Sequence, residues 1–298
     1  MNKIVLFLMT EKGFEIVKFM ILNYRDMIDL VVVGQDKNIS NDYSNEIIEV
    51  CKENRVEWSY KDNNRKINDD FFIFAISWRW MIHHREDRLI VFHDSLLPKY
   101  RGFSPLVNML INGEETIGVS ALLGGKSYDS GDIIAQVSSN ITYPIKIAKA
   151  IQINNVNYLN LVTIVVNQIK ENNIMSEAQC DEDVTYSVWR DSLDYFIDWN
   201  QSSEEIKRFV DAVGEPYSGA KTRVDNNKML LIDEVEVIDD VICELRHVGK
   251  VLFLEEGFPC VICGVGMLKI LSAREMREME AENCMSFFPL KKFRYRLY

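Results

Sequence analysis

The residues best able to do chemistry in this chain lie in one short run, Phe92-His93-Asp94-Ser95-Leu96-Leu97-Pro98-Lys99-Tyr100-Arg101-Gly102. A histidine ends an apolar stretch of strand length (89–92), and a rigid Leu-Leu-Pro is followed by two cations and a glycine. Imidazole has an ordinary pKa near neutrality, so it can take up a proton and return it. Further along comes Tyr128-Asp129-Ser130-Gly131-Asp132, a turn sequence between two apolar runs at 117–123 and 133–137. If those runs are strands of the same sheet, Asp129 reaches the sheet edge that carries His93. A carboxylate beside an imidazole raises its basicity and fixes its orientation. That pair suits removal of a proton from an attacking nucleophile. Two plainer readings stand beside it: a hydrogen-bonded strand-end histidine, and aspartates that serve only the turn. For Asp132 the turn reading is preferred.

Other candidates carry less. His83 and His84 are adjacent, which places them poorly for one ion on a strand, and no acidic or thiol ligand set lies near them. Cys260 and Cys263 have no second pair at matching spacing, so they are assigned to packed core, and no metal is expected. Gly264-Val265-Gly266 then reads as a hairpin turn. Trp78, Trp80 and Met81 follow another apolar run and read equally as core or as a ligand wall.

Alternating strands and helices must position these groups. Apolar strand-length runs at 4–9, 29–34, 70–76 and 89–92 are separated by helical periodicity at 15–22 and 46–52. Short, uniformly apolar strands between helices imply a parallel sheet covered on both faces. The expected class is therefore α/β, a Rossmann-like, doubly wound, mostly parallel sheet. No Gly-x-Gly-x-x-Gly follows the first strand, which argues against a dinucleotide cradle. A long helix is expected over 145–170, then a polar linker over 171–183 and a capped helix over 203–212. Short strands follow at 229–232, 235–238, 249–253, 261–262 and 267–270, best suited to a small β-barrel of five or six strands. The expected domains are 1–180, with the site, and 181–298, a smaller β-rich, OB-like domain.

Composition sets bounds on partners. The 298 residues include 34 basic and 45 acidic side chains, a net charge of −11. Such a surface opposes a phosphate backbone, so a nucleic-acid partner is not expected. The one obvious basic run, Lys291, Lys292, Arg294 and Arg296, reads as a solvated tail or strand edge. No signal peptide and no stretch of membrane-spanning length is visible, and six scattered cysteines read as reduced thiols. A cytoplasmic protein without membrane contact is expected.

His-x-Ser-Leu-Leu-Pro-x-Tyr-Arg-Gly, then Gly113-Glu114 and Gly118-Val119, then Asp-x-Gly-Asp-Ile, is similar to the formyltransferases that use 10-formyltetrahydrofolate. A weaker resemblance continues through Phe196-Ile197-Asp198-Trp199 and Pro216-Tyr217-Ser218-Gly219-Ala220, which look like the second domain of the tRNA and sugar-nucleotide branches. The resemblance implies catalytic roles for His93 and Asp129, and a folate site near Trp80, Met81, Ile82, Gly125 and Tyr128. It implies substrate contacts at Lys99, Tyr100 and Arg101, and it is compatible with a homodimer. One departure matters: the family's asparagine two residues before the histidine is Val91 here. An apolar side chain cannot donate to an oxyanion, and loss of one such donor costs on the order of 10²-fold or more in rate. Another donor, protonated His93, or an impaired site are the three explanations. The length of the chain beyond the first domain and the excess of acids over 181–205 point to a nucleotide-linked amino sugar, on a route to surface polysaccharide, as the substrate. A methionyl-tRNA substrate and an impaired folate- or nucleotide-binding homologue are the alternatives.

Overall fold

The computed structural model describes residues 2–36, 41–63, 65–224, 228–276 and 296–298. By internal contacts the chain divides into two compact units. The first comprises Met1–Leu106, Thr116–Ile141 and Ile151–Val188, and the second Val107–Glu115, Thr142–Ala150 and Trp189–Tyr298.

The first unit is built on β1 (Ile4–Leu8), α1 (Thr10–Tyr24), β2 (Ile28–Val33), α2 (Ser44–Glu53), β3 (Trp58–Tyr60), β4 (Phe72–Ile76) and β5 (Leu89–His93). Next come the short β6 (Arg101–Gly102), β7 (Thr116–Leu123), β8 (Ile133–Asn140), most of α4 (Ile147–Lys170) and β9 (Tyr186–Ser187), while α3 (Pro105–Asn112) falls mostly in the second unit. Seven strands form one sheet in the order β3-β2-β1-β4-β5-β7-β8, parallel from β3 to β5 and antiparallel beyond. The Rossmann-like, mostly parallel layer is therefore as the sequence pattern implies.

The covering of the two faces differs from that expectation. Side chains alternate along a strand. Ile4, Leu6 and Leu8 share one core with Ile16, Val17 and Met20 of α1, Ile47 and Ile48 of α2, and Leu161, Val162 and Val165 of α4. Val5, Phe7, Ile73, Ala75 and Leu89 face the other way and are covered by Ile67, Trp78 and Ile82. Those three come from the non-helical connections on either side of β4. Irregular chain with aromatic and cationic side chains thus lines a face that a helix would otherwise fill.

The second unit holds α5 (Ser203–Val213) and a sheet of β10 (Ala220–Val224), β11 (Lys228–Ile238), β12 (Val251–Glu255), β13 (Phe258–Ile262) and β14 (Met267–Met276). The strands run antiparallel in the order β10-β11-β14-β13-β12. α5 begins on the expected capping box: Ser202 accepts from the Glu205 amide, and the Glu205 carboxylate accepts from the Ser202 amide at 2.9 Å. The runs at 229–232 and 235–238 are one strand, β11, and not two. Its register on β14 shifts between Ile232 and Val235, where Asp233 holds Arg274 through two hydrogen bonds of 2.8 Å. Cys260 and Cys263 are buried free thiols, and burial pushes Cys263 up to about 12. They are packed core, and the chain from Gly264 to Gly266 turns β13 into β14, the Cys263 amide donating to the Gly266 carbonyl. Lys291, Lys292 and Arg294 of the basic run lie outside the described residues.

Candidate active site

His93 is the last residue of β5, at the carboxyl end of the parallel strands, where open α/β sheets leave a crevice for ligands. Along β5, Ile90 and Phe92 face the helical core while Leu89 and Val91 face the other side. Alternation puts His93 on Val91's face, the one without helices. Its Nε2 lies 2.7 Å from the Tyr100 carbonyl. A carbonyl only accepts, so Nε2 carries the hydrogen and the neutral ring keeps its lone pair on Nδ1. Nδ1 lies 3.5 Å from Asp129 Oδ2. The two groups singled out from sequence therefore meet, and both are largely buried, at 8% and 12% side-chain exposure. A proton arriving on Nδ1 would turn this contact into an ion pair in a water-poor site. The arrangement places a carboxylate beside the one ring nitrogen whose lone pair is free to take a proton.

The histidine and aspartate loops are tied together. Asp129 Oδ2 accepts from the Gly102 amide at 2.8 Å. Gly102 has φ +103°, and a Cβ there would lie 2.6 Å from the Ser187 carbonyl, so the end of the histidine motif must be glycine. Gln179 supplies a second tie that sequence reasoning missed. Its Nε2 donates to the carbonyls of Asp129 and Gly131 at 2.8 and 2.7 Å, and its Oε1 accepts from Arg101 Nε and Nη2 at 3.0 and 2.7 Å. The stretch read as a linker is thus part of the first unit, and Glu177 also bridges to Ile133. Gly131 seats the loop, because a Cβ there would come within 1.9 Å of the Leu123 carbonyl. Gly131→Ala is expected to destabilise the protein by about 1–3 kcal/mol, as overpacking typically does, and to lower the thermal midpoint accordingly. An unchanged midpoint would show that the loop is not held as described.

Of the expected substrate contacts, Lys99 is exposed and Tyr100 half-buried, whereas Arg101 is buried with its guanidinium on Gln179. Asp132 is exposed, as a turn residue is. Trp80, Met81 and Ile82 line a cleft of about 460 Å³ on the face that carries His93. Phe7, Ile73 and Trp78 form its floor, with Trp78 packed edge-on against Phe7 at 4.8 Å and against Trp80 at 5.0 Å. Gly125 and Tyr128 do not line this cleft. Tyr128 is 55% exposed and lies 6.2 Å from the Phe103 ring.

On the helical face behind His93 sits a second polar group with no obvious signal in the sequence. Lys12, in the first turn of α1, pairs with Asp94, and its ammonium also lies 5.8 Å from the centroid of the Tyr158 ring. Burial, then the Asp94 charge, drives the Tyr158 phenol well above its ordinary pKa, so it stays protonated. Among the described residues no cluster of His, Cys, Asp and Glu is placed to hold a metal ion.

Residues 79–152 match the formyl transferase family, and residues 191–288 match the formyl transferase C-terminal domain. The chain belongs to the formyl transferase family. Among curated relatives, the methionyl-tRNA formyltransferase of Lactococcus lactis is 30% identical over 179 residues, which take in 60% of this chain and 55% of that protein. The chain thus spans about half the length of that relative. Two solved structures share the fold. WlaRD, a sugar 3N-formyl transferase in the presence of dTDP and 5-N-formyl-THF, superposes with a TM-score of 0.66 at 20% identity, over 94% of this chain and 99% of that one. The N-formyltransferase from Helicobacter canadensis, in complex with folinic acid and dTDP-3-aminofucose, gives 0.65 at 18% identity, over 93% and 100%. Val91, two residues before His93, is apolar and half-buried. That residue packs on the face it shares with His93.

Proposed function

We propose that this protein moves the formyl group of 10-formyltetrahydrofolate onto the amine of a nucleotide-linked amino sugar. The observation that carries the reading is His93 Nδ1 facing Asp129 at the carboxyl end of β5. As the amine attacks, Nδ1 accepts its proton, and the Asp129 carboxylate stabilises the imidazolium that results. The same proton is then available at Nδ1 for the departing folate nitrogen. The Tyr100 carbonyl holds the ring through Nε2, so neither transfer requires the ring to turn. The aromatic floor beside Trp80, Met81 and Ile82 fits a flat heterocycle with an aminobenzoyl extension, and we place the folate there, with Gly125 and Tyr128 completing its site from the loop between β7 and β8. Lys99 and Tyr100 form the acceptor side with Arg101, which acts through Gln179. In this reading residues 1–180 carry the reaction, and the β-rich part from 181 is OB-like. The protein acts in the cytoplasm on a small molecule for surface polysaccharide, without metal or membrane, and forms a homodimer.

Support for a sugar acceptor comes from the net charge of −11 and from the fold shared with two sugar formyltransferases. The Lactococcus relative favours methionyl-tRNA as the second reading. Both are tested together by offering 10-formyltetrahydrofolate with a panel of dTDP-amino sugars or with methionyl-tRNA. Formylated sugar nucleotide is expected, with no tRNA product. Formylated tRNA alone would replace the sugar reading, and binding of folate without any product would indicate an impaired homologue.

A further inference from the structure

The cleft beside Trp80 has a rim as distinctive as its floor. Lys61, Arg65, Lys66 and His83 line it, against one acidic residue, Asp69. In a chain of net charge −11 this is a local reversal of sign. The Lys61 ammonium lies 4.4 Å from the centroid of the Trp80 ring, so cation and aromatic surface are continuous. The partners of Lys61 and Arg65 are Asp62 and Glu57, at 87% and 60% side-chain exposure, weak screened pairs that a ligand can replace.

We infer that this rim takes the γ-linked glutamyl carboxylates of a folate polyglutamate, so that the protein discriminates folates by the length of their tail. The inference rests on the proposed use of 10-formyltetrahydrofolate and adds a subsite to it. A tail presents several carboxylates along a flexible chain, and Lys61, Arg65 and Lys66 offer three cations on the same rim. A diphosphate is more compact and is usually held by a helix N-terminus, a glycine-rich turn or an arginine fork. None of the lining residues belongs to a helix.

The test is calorimetric titration with 5-formyltetrahydrofolate and with its tri-γ-glutamate, at low and high salt. At low salt the triglutamate is expected to bind about tenfold more tightly, from several partly exposed ion pairs acting together. The advantage should shrink at high salt as the pairs are screened. In the Lys61→Gln/Arg65→Gln/Lys66→Gln variant, the two affinities should converge. Equal affinities in the unmodified protein, or a preference that survives the triple substitution, would overturn the inference. So would loss of dTDP binding on the same substitution, which would assign the rim to the nucleotide. If neither folate binds, the proposed function itself fails, and that result is distinct from monoglutamate binding without a tail preference.

Discussion

His93→Ala is expected to lower kcat/KM for formyl transfer by about 10²–10⁴-fold, the usual contribution of one positioned proton acceptor. The dissociation constant of 5-formyltetrahydrofolate should barely move, because His93 does not line the cleft proposed for the folate. Asp129→Asn dissects the same step. The amide oxygen can still accept from the Gly102 amide, so the tie between the two loops survives, while the charge facing Nδ1 is gone. Turnover should fall while the thermal midpoint holds. An alanine variant at His93 with wild-type turnover would remove the basis of the mechanism. Loss of folding in either variant can be separated from loss of chemistry by the retained folate binding.

The meeting of His93 and Asp129 at this sheet edge was legible because both residues punctuate strands. His93 ends an apolar run, and Asp129 lies in a turn between two others, so strand topology alone brings them to one edge. The groups that hold them were not legible. His93 is oriented by a backbone carbonyl, that of Tyr100, which no side-chain pattern reports. Gln179 is one polar residue in a polar stretch, and only tertiary contact distinguishes it from a linker residue. The short β3 and α3 went unread, because three strand residues and two helical turns hardly establish a period. The sequence pattern divides β11 in two because Asp233 and Glu234 interrupt the apolar run, and there the register on β14 shifts beside the Asp233–Arg274 pair. The covering of the second face by non-helical chain follows from connectivity. α1 and α2 each return the chain to a neighbouring parallel strand on one side of the sheet, and the passages into and out of β4 cover the other side without helical periodicity.

Lys12 is the residue whose removal should cost most in stability. A cation in the first turn of a helix opposes the positive end of the helix dipole, so local preference does not explain it. Its partner does. Lys12 and Asp94 have side-chain exposures of only 10% and 18%. Replacing a single member of a buried pair leaves the other charge without compensation, which typically costs about 3–5 kcal/mol. Lys12→Met is therefore expected to lower the free energy of unfolding by that measure in a denaturant titration, and Asp94→Leu by a similar one. The double variant should regain much of the loss, since two apolar side chains of similar volume leave no charge stranded. Asp94 follows His93 directly and faces Tyr158 on the helical side, so the pair fixes the strand end from which the imidazole projects. The double variant should then be stable yet slower in formyl transfer, with folate affinity kept. If both single variants unfold at the wild-type midpoint, the ion pair contributes nothing to stability.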